Sequence, residues 1–243
     1  MRYAILADIH ANLAALQAVL EDITAKGGVD ELWCLGDVVG YGPEPGECIR
    51  LLKKHCSVCV AGNHDLGAVG KLNLGYFNAS AAAACRWTAA QLSPADVRYL
   101  EDLPLSLQQG DFFLVHGSPA EPALEYVISS GIAARSFSFF DSPYCLVGHT
   151  HVPLAFKQEG DSAPSIMLSS GIGLVLGAKR MIINPGGVGQ PRDGDPRASY
   201  AVYESEGSIL RLYRVEYDIA ATQRKMLKAN LPMMLISRLE EGR

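Results

Sequence analysis

Val60-Ala61-Gly62-Asn63-His64-Asp65 reads as the end of a buried strand that breaks at Gly62 into a tight turn carrying an amide, an imidazole and a carboxylate. Four other stretches share this form: Asp8-Ile9-His10, Gly36-Asp37, His116-Gly117 and Gly148-His149-Thr150-His151 each follow a short apolar run. Five of the six histidines fall in these stretches, His55 being the exception. Packing gives no reason for such repetition, whereas one shared metal site does.

Outward on the N-terminal side, residues 3–7 form an apolar run closed by Asp8 and His10. Leu13, Leu16, Val19, Leu20 and Ile23 follow at helical spacing, with Asn12 placed to cap the helix and Gly27-Gly28 to end it. Residues 31–35 make a second strand running into Gly36-Asp37. The segment is therefore a strand, helix, strand unit with acidic groups at the strand ends, where open α/β sheets gather their chemistry. Residues 39–43 read as a loop, 47–54 as a helix and 56–61 as a third strand.

On the C-terminal side an alanine-rich helix is expected over 78–92, and Ser93-Pro94 opens another. Residues 105–115 read as a hairpin leading to His116, 132–140 as a helix, and 144–147 as the strand that delivers His149 and His151. The later short β segments, at 154–157, 166–168, 181–183, 199–203 and 209–213, are expected to form a second, partly antiparallel sheet. The tail from about 219 to 241 reads as helical with a break at Pro232. With no repeat and no linker, a single domain over 1–243 is expected.

The composition, 49% hydrophobic and 19% charged, is that of an ordinary globular chain. A net charge of -5 counts against a surface built for long nucleic acid, which clusters Lys and Arg to displace counterions. No apolar run approaches the roughly 18 residues of a membrane span, and residues 3–7 read as a strand rather than a leader, so a cytoplasmic protein is expected. Cys56-Ser57-Val58-Cys59 has zinc-like or redox-like spacing. In a strand, however, residues three apart face opposite ways, so these cysteines are read as small apolar side chains.

Asp8 and His10, two apart on an extended segment, leave the same face and can converge on one ion, and the same spacing holds for His149 and His151. Imidazole, carboxylate and amide oxygen suit manganese, iron, zinc, cobalt or nickel. Asp8, His10, Asp37, Asn63, His116, His149 and His151 are too many ligands for one ion, which points to two divalent ions sharing a carboxylate. Two such ions against two carboxylates and a hydroxide leave about +1 locally, an electropositive spot suited to phosphate. His64 stands free to assist a leaving group.

The five stretches, in this order from Asp8 to His151, resemble the motifs of the calcineurin-like metallophosphoesterase superfamily, and the segment 184–200 resembles its small bacterial and archaeal phosphodiesterase-like branch. The resemblance implies an α/β fold, a four-layered α/β/β/α sandwich of two mixed β-sheets flanked by helices. It implies that Asp8, His10 and His151 hold one ion, Asn63, His116 and His149 the other, and that Asp37 bridges them. His64 corresponds to the histidine that stabilises the transferring phosphoryl group. The implied activity is hydrolysis of a phosphodiester or small phosphomonoester, nucleotide-derived esters included, by in-line attack of a hydroxide shared by the two ions.

One departure bears on the substrate. Where protein Ser/Thr phosphatases and diadenosine tetraphosphatases continue the Gly-Asp motif to a phosphate-holding arginine, this chain has Tyr41, and Gly40 stands where the phosphatases carry the aspartate that supports the histidine. Both readings stay open as alternatives, as does a non-catalytic metal-binding scaffold. Tyr41 and Arg192 are the candidate substrate contacts.

Overall fold

A computed structural model describes all of residues 1–243. The chain forms two six-stranded sheets packed face to face, with helices on both outer faces. β1 (Arg2–Leu6), β2 (Glu31–Cys34) and β3 (Val58–Cys59) run parallel, linked by α1 (Leu13–Ala25) and α2 (Pro45–His55). α3 (Asn63–Ala68), α4 (Ala79–Gln91) and α5 (Pro94–Glu101) follow before the second sheet opens with β4 (Ser106–Gln109) and β5 (Phe112–Val115). After α6 (Ser130–Ser136) come β6 (Tyr144–Leu146), β7 (Pro153–Lys157), β8 (Ser165–Met167), β9 (Gly173–Val175), β10 (Met181–Pro185), β11 (Ala198–Glu204) and β12 (Ile209–Val215). α7 (Ile219–Lys228) and α8 (Met233–Glu241) close the chain, broken at Pro232 as expected.

The alternation of side chains along each strand builds the layers. In β1 and β2, Ala4, Leu6, Leu32 and Cys34 face outward onto Leu16 and Val19 of α1 and Ile49 and Leu52 of α2. Ile5, Trp33 and Leu35 face inward and meet Phe112, Leu114, Tyr144, Leu146 and Ile183 of the other sheet. On that sheet's far side Val115, Cys145, Phe156 and Ile182 pack on Ala133 and Phe137. Because both faces of the central strands are covered, they read as continuous apolar runs. The four-layered α/β/β/α expectation holds.

The later β segments do not form a sheet of their own. The orders are β3-β2-β1-β11-β12-β9 and β4-β5-β6-β10-β7-β8, so the segments are divided between the two sheets. β1 is buried on both faces, and its free edge would leave buried amides unpaired without a partner. The almost wholly buried β11 supplies that partner, antiparallel, with Ala4 opposite Val202.

The third strand is shorter than expected, only Val58–Cys59. Cys56 therefore lies before the strand, and the assumption that its thiol points away from Cys59 fails. Cys59 contacts the thiols of both Cys56 and Cys34, and these contacts together with burial hold its pKa well above the ordinary thiol value. Both cysteines still pack against the core. The helix expected over 132–140 ends at Ser136 and tightens to a 3-10 turn over Phe137–Phe139. β9 and α3 were not legible beforehand. No helix is long and apolar enough to cross a membrane.

Candidate metal centre

Every sequence-predicted ligand leaves the end of an element at the same rim of the two sheets. Asp8 and His10 follow β1, Asp37 follows β2, Asn63 is the first residue of α3, His116 follows β5, and His149 and His151 follow β6. Backbone bonds lock these strand ends together: Asp8 N donates to Gly36 O at 3.1 Å, His10 N to Asp37 O at 2.9 Å and Gly148 N to His116 O at 2.8 Å. The sheets are joined across the site where His149 N donates to Asp8 Oδ1 at 3.1 Å.

The local backbone corrects one expectation. Asp8, His10, His149 and His151 are not extended; with φ of 56°, 50°, 66° and 59° they sit in the left-handed region, as do Ala11, Asp37 and Tyr41. Seven of the chain's nine non-glycine residues with positive φ are in this cluster. Each costs on the order of 1–3 kcal/mol, a strain that persists where the surrounding structure over-determines it and that collects at functional sites. Convergence thus comes from turning the chain back on itself, not from a strand's alternating faces. His149 and His151 consequently separate instead of sharing a partner set.

Asp8, His10 and His151 form one group and Asp37, His116 and His149 another, the potential ligand atoms in each lying within 4.8 Å of one another. Asp37 Oδ2 lies between the groups, 3.5 Å from His10 Nε2 and 3.4 Å from His116 Nε2. Asn63 Oδ1 lies 3.1 Å from His116 Nε2. His64 comes within the same 4.8 Å of ligand atoms of His10 and Asp37. All seven predicted residues and His64 are buried.

This cluster is incomplete on its own. Asp8 Oδ2 and Asp37 Oδ2 are buried without a hydrogen-bond partner, while ring nitrogens face each other at 3.2 Å (His10 and His151) and 3.1 Å (His116 and His149). Unpaired buried carboxylate oxygens are costly, and acceptors aimed at one another are best satisfied by cations. Nitrogen and oxygen donors of this kind fit divalent transition-metal ions. Burial pushes the Asp8 carboxyl up to about 7, and burial pushes His149 down to about 3. Burial opposes the charge on His116 too, but the Asp37 carboxylate outweighs it and holds His116 at about 9. Burial would likewise raise Asp37, yet the surrounding imidazoles, His116 first, keep it well below the usual carboxylate range. Asp37 is the electrostatic centre of the site.

His64 forms one wall of a cavity of about 190 Å³ that also touches Asp37, Asn63, His149, His151, Tyr41 and Arg192. Its ring is boxed by Tyr41 at 4.3 Å, Phe77 at 4.9 Å and His10 at 4.9 Å between centroids, and its buried Nδ1 has no partner. A Cβ on Gly40 would lie 2.5 Å from that Nδ1. Packing against a bare glycine therefore takes the place of a supporting carboxylate. The two predicted substrate contacts also meet, Arg192 Nη2 lying 3.3 Å from Tyr41 Oη.

Sequence reasoning missed the residues that brace this arrangement. Asp65 accepts from Gly62 N and Val39 N, both at 3.0 Å, tying the second and third strand ends together; an acid at the third position of a helix was the available signal. Asn184 donates to Gly148 O at 2.5 Å and Thr150 Oγ1 at 3.0 Å, and Asn12 donates to Gly189 O at 2.9 Å. Tyr126 stacks on His149 with centroids 3.8 Å apart. Nothing local in the sequence marks Asn184 or Tyr126 for these roles, since their partners are 20 or more residues away.

Comparison with known proteins agrees with the geometry. The chain is 37% identical to the uncharacterized protein MJ0912 of Methanocaldococcus jannaschii over 99% of its own length and 98% of that protein's. The crystal structure of a metallophosphoesterase from Sphaerobacter thermophilus superimposes with a TM-score of 0.91 at 47% identity, covering 100% of this chain and 99% of the other. A local likeness, 43% identity over 61 residues, links it to the symmetrical bis(5'-nucleosyl)-tetraphosphatase of Pseudomonas putida, of which it spans 21%, with 24% of this chain covered. The family model for the calcineurin-like phosphoesterase superfamily domain matches residues 1–208, which include every group at the two strand-end clusters. The chain belongs to the calcineurin-like phosphoesterase superfamily.

Proposed function

We propose that the protein is a dinuclear metal-dependent phosphoesterase acting on phosphodiesters or small phosphomonoesters. The observation that carries this reading is the pair of Asp/His groups with Asp37 Oδ2 lying between them, and one carboxylate oxygen left without a hydrogen-bond partner on each aspartate. In it Asp8, His10 and His151 hold one divalent ion, Asn63, His116 and His149 hold a second, and Asp37 serves both. Bound ions there supply Lewis-acid charge against a phosphate and a water acidified toward neutral pH.

The chain's own residues do the rest. The cavity beside the two groups admits a phosphoester, with His64 on its wall. His64 donates a hydrogen bond to the transferring phosphoryl group and assists departure of the leaving oxygen. Burial lowers its pKa to about 4, so the ring is a neutral N–H donor at physiological pH. Arg192, aligned by Tyr41, offers a guanidinium to a non-bridging phosphate oxygen, the place that an arginine of the Gly-Asp motif takes in protein phosphatases. Small nucleotide-derived esters fit this reading, and long nucleic acid does not fit a net charge of -5.

A second reading, a dinucleoside-tetraphosphate hydrolase, is favoured by the local likeness to the Pseudomonas putida enzyme. A non-catalytic scaffold is disfavoured because His64 stands in the cavity with the full ligand set. The test is hydrolysis of bis(p-nitrophenyl) phosphate beside p-nitrophenyl phosphate, with manganese or with a chelator, on wild-type and His64→Ala protein. Chelator-sensitive diester cleavage that falls about 10²–10⁴-fold in the variant while metal content is retained is the expected result. Full activity in the variant would remove His64 from the mechanism, and a preference for the monoester would assign a phosphatase.

A further inference from the structure

The cavity beside the metal centre has two unlike parts. Its buried part is polar, made by Asp37, Asn63, His64, His149 and His151, whereas its open part is bordered by Tyr76, Phe77, Leu124 and Tyr126. Only three aromatic side chains of the whole chain are exposed, Tyr76, Tyr126 and Phe139, and two of them stand at this one mouth, 70% and 43% exposed. A single exposed ring calls for no explanation, because much of any protein surface is apolar. Two at the mouth of the catalytic cavity form a surface that a ligand can cover.

Both rings are held by anchored backbone. Tyr76 closes a 3-10 turn, Leu74–Tyr76, in which Asn73 Oδ1 accepts from Gly75 N at 2.8 Å and Asn73 O accepts from Tyr76 N at 3.2 Å. Its neighbours tie the turn down: Leu74 packs on the core, and Phe77 meets the edge of the His64 ring. On the other side Tyr126 stacks on His149 with centroids 3.8 Å apart, and Val127, next to it, is buried. Leu124 O faces His149 Nε2 at 3.2 Å, which fixes this loop against the site. Rings presented in this way lose little further freedom when a ligand covers them.

The size of the cavity says how the ligand must lie. At about 190 Å³ it is smaller than the roughly 300–1,000 Å³ of sites that enclose a whole small ligand, so an ester seated at the metal end extends over the mouth. Asn78 also borders the cavity; its Oδ1 is taken by Ala81 N at 2.9 Å as the cap of α4, which leaves its Nδ2 donors for the edge of a ligand. Flat aromatic faces beside an amide donor suit a flat ring system with acceptors at its rim.

We propose that Tyr76 and Tyr126 form a stacking subsite for a nucleobase, so that the preferred substrate is a nucleoside phosphoester. This deepens the phosphoesterase reading and rests on it for the word substrate. Tyr76 and Tyr126 are specificity residues here, binding the ester beyond its phosphate.

The test is calorimetric titration of the protein, with manganese added, with adenosine 5'-monophosphate and ribose 5-phosphate, which carry the same phosphate and differ in the base. Methyl phosphate and phenyl phosphate form a second pair, and Tyr76→Leu and Tyr76→Phe are measured beside wild type. Tyr76 is the position to change because Tyr126 also lies on His149. Wild type should bind the nucleotide more tightly than ribose 5-phosphate. Loss of a stacked base should shrink that advantage about tenfold in Tyr76→Leu, and Tyr76→Phe, which keeps the flat face, should retain most of it. No advantage for the nucleotide in wild type, or one undiminished in Tyr76→Leu, overturns the subsite. A phenyl phosphate advantage over methyl phosphate as large as that of the nucleotide makes the group a plain aryl ring and overturns the nucleobase assignment. Binding of the nucleotide through Tyr76 by a protein that cleaves no ester would overturn the phosphoesterase reading and leave the subsite standing, while chelator-sensitive cleavage of bis(p-nitrophenyl) phosphate without that binding would do the reverse.

Discussion

Replacing Gly40 with alanine isolates the packing that sets His64. The backbone there has φ of +90°, and the added Cβ would meet His64 Nδ1 at 2.5 Å and its Cβ and Cγ at 2.9 Å. Ordinary carbon contacts are about 3.5–4.0 Å, so the imidazole must retreat by about 1 Å. It has little room, because Tyr41, Phe77 and His10 enclose it. The left-handed backbone costs an L-residue about 1–2 kcal/mol and overpacking about 1–3 kcal/mol, together about 2–5 kcal/mol. At about 2–4 °C per kcal/mol for a chain of this size, the melting temperature should fall by roughly 5–15 °C. A 1 Å misplacement of a reacting group is worth about 100-fold, so kcat for a chelator-sensitive diester should drop by about that factor while bound metal per chain is retained. Gly70→Ala is the matched control: its φ is +77° and nothing lies within 4 Å of the new Cβ, so it carries the backbone strain alone, about 1–2 kcal/mol, with kcat retained. A Gly40→Ala enzyme with kcat within twofold of wild type would refute the idea that packing on Gly40 positions His64.

Three further outcomes are expected. Asp37→Ala should lower the metal content per chain measured by elemental analysis, because its carboxylate faces both groups; an unchanged content would sink the bridging assignment. Asn184→Leu removes donors to Gly148 O and Thr150 Oγ1, and should raise the chelator sensitivity of bound metal by about 10–100-fold, as loss of supporting partners around a metal site does. A wild-type chelator midpoint would show that the His149 loop holds without it. Asn12→Ala loses the α1 cap on Ala15 N and the buried bonds to Gly189 O and from Thr222 Oγ1. It should destabilise by about 2–4 kcal/mol in chemical denaturation, and a loss under about 1 kcal/mol would contradict the role of Asn12 as a joint between α1, α7 and the 189 loop.

Asp8, His10, Asp37, Asn63, His64, His116, His149 and His151 were legible because each follows an apolar run, and a polar ligand type at a strand end is a local pattern. The central strands and most helices were legible for the same reason, since period and capping residues such as Asn12 and Ser93 act within a few residues. Three things needed the fold. The pairing of β11 with β1 joins residues about 200 apart and is chosen by which buried edge lacks a partner. The separation of His149 from His151, which the family resemblance implies, is produced by left-handed turns that no spacing rule anticipates. Asn184 and Tyr126 take their roles from partners 20 or more residues away in the chain. Local sequence thus determined which groups the site contains. Tertiary packing decided how the chain turns back to bring those groups together, which residues brace them and which strand covers the edge of β1, because each depends on residues far apart in the chain.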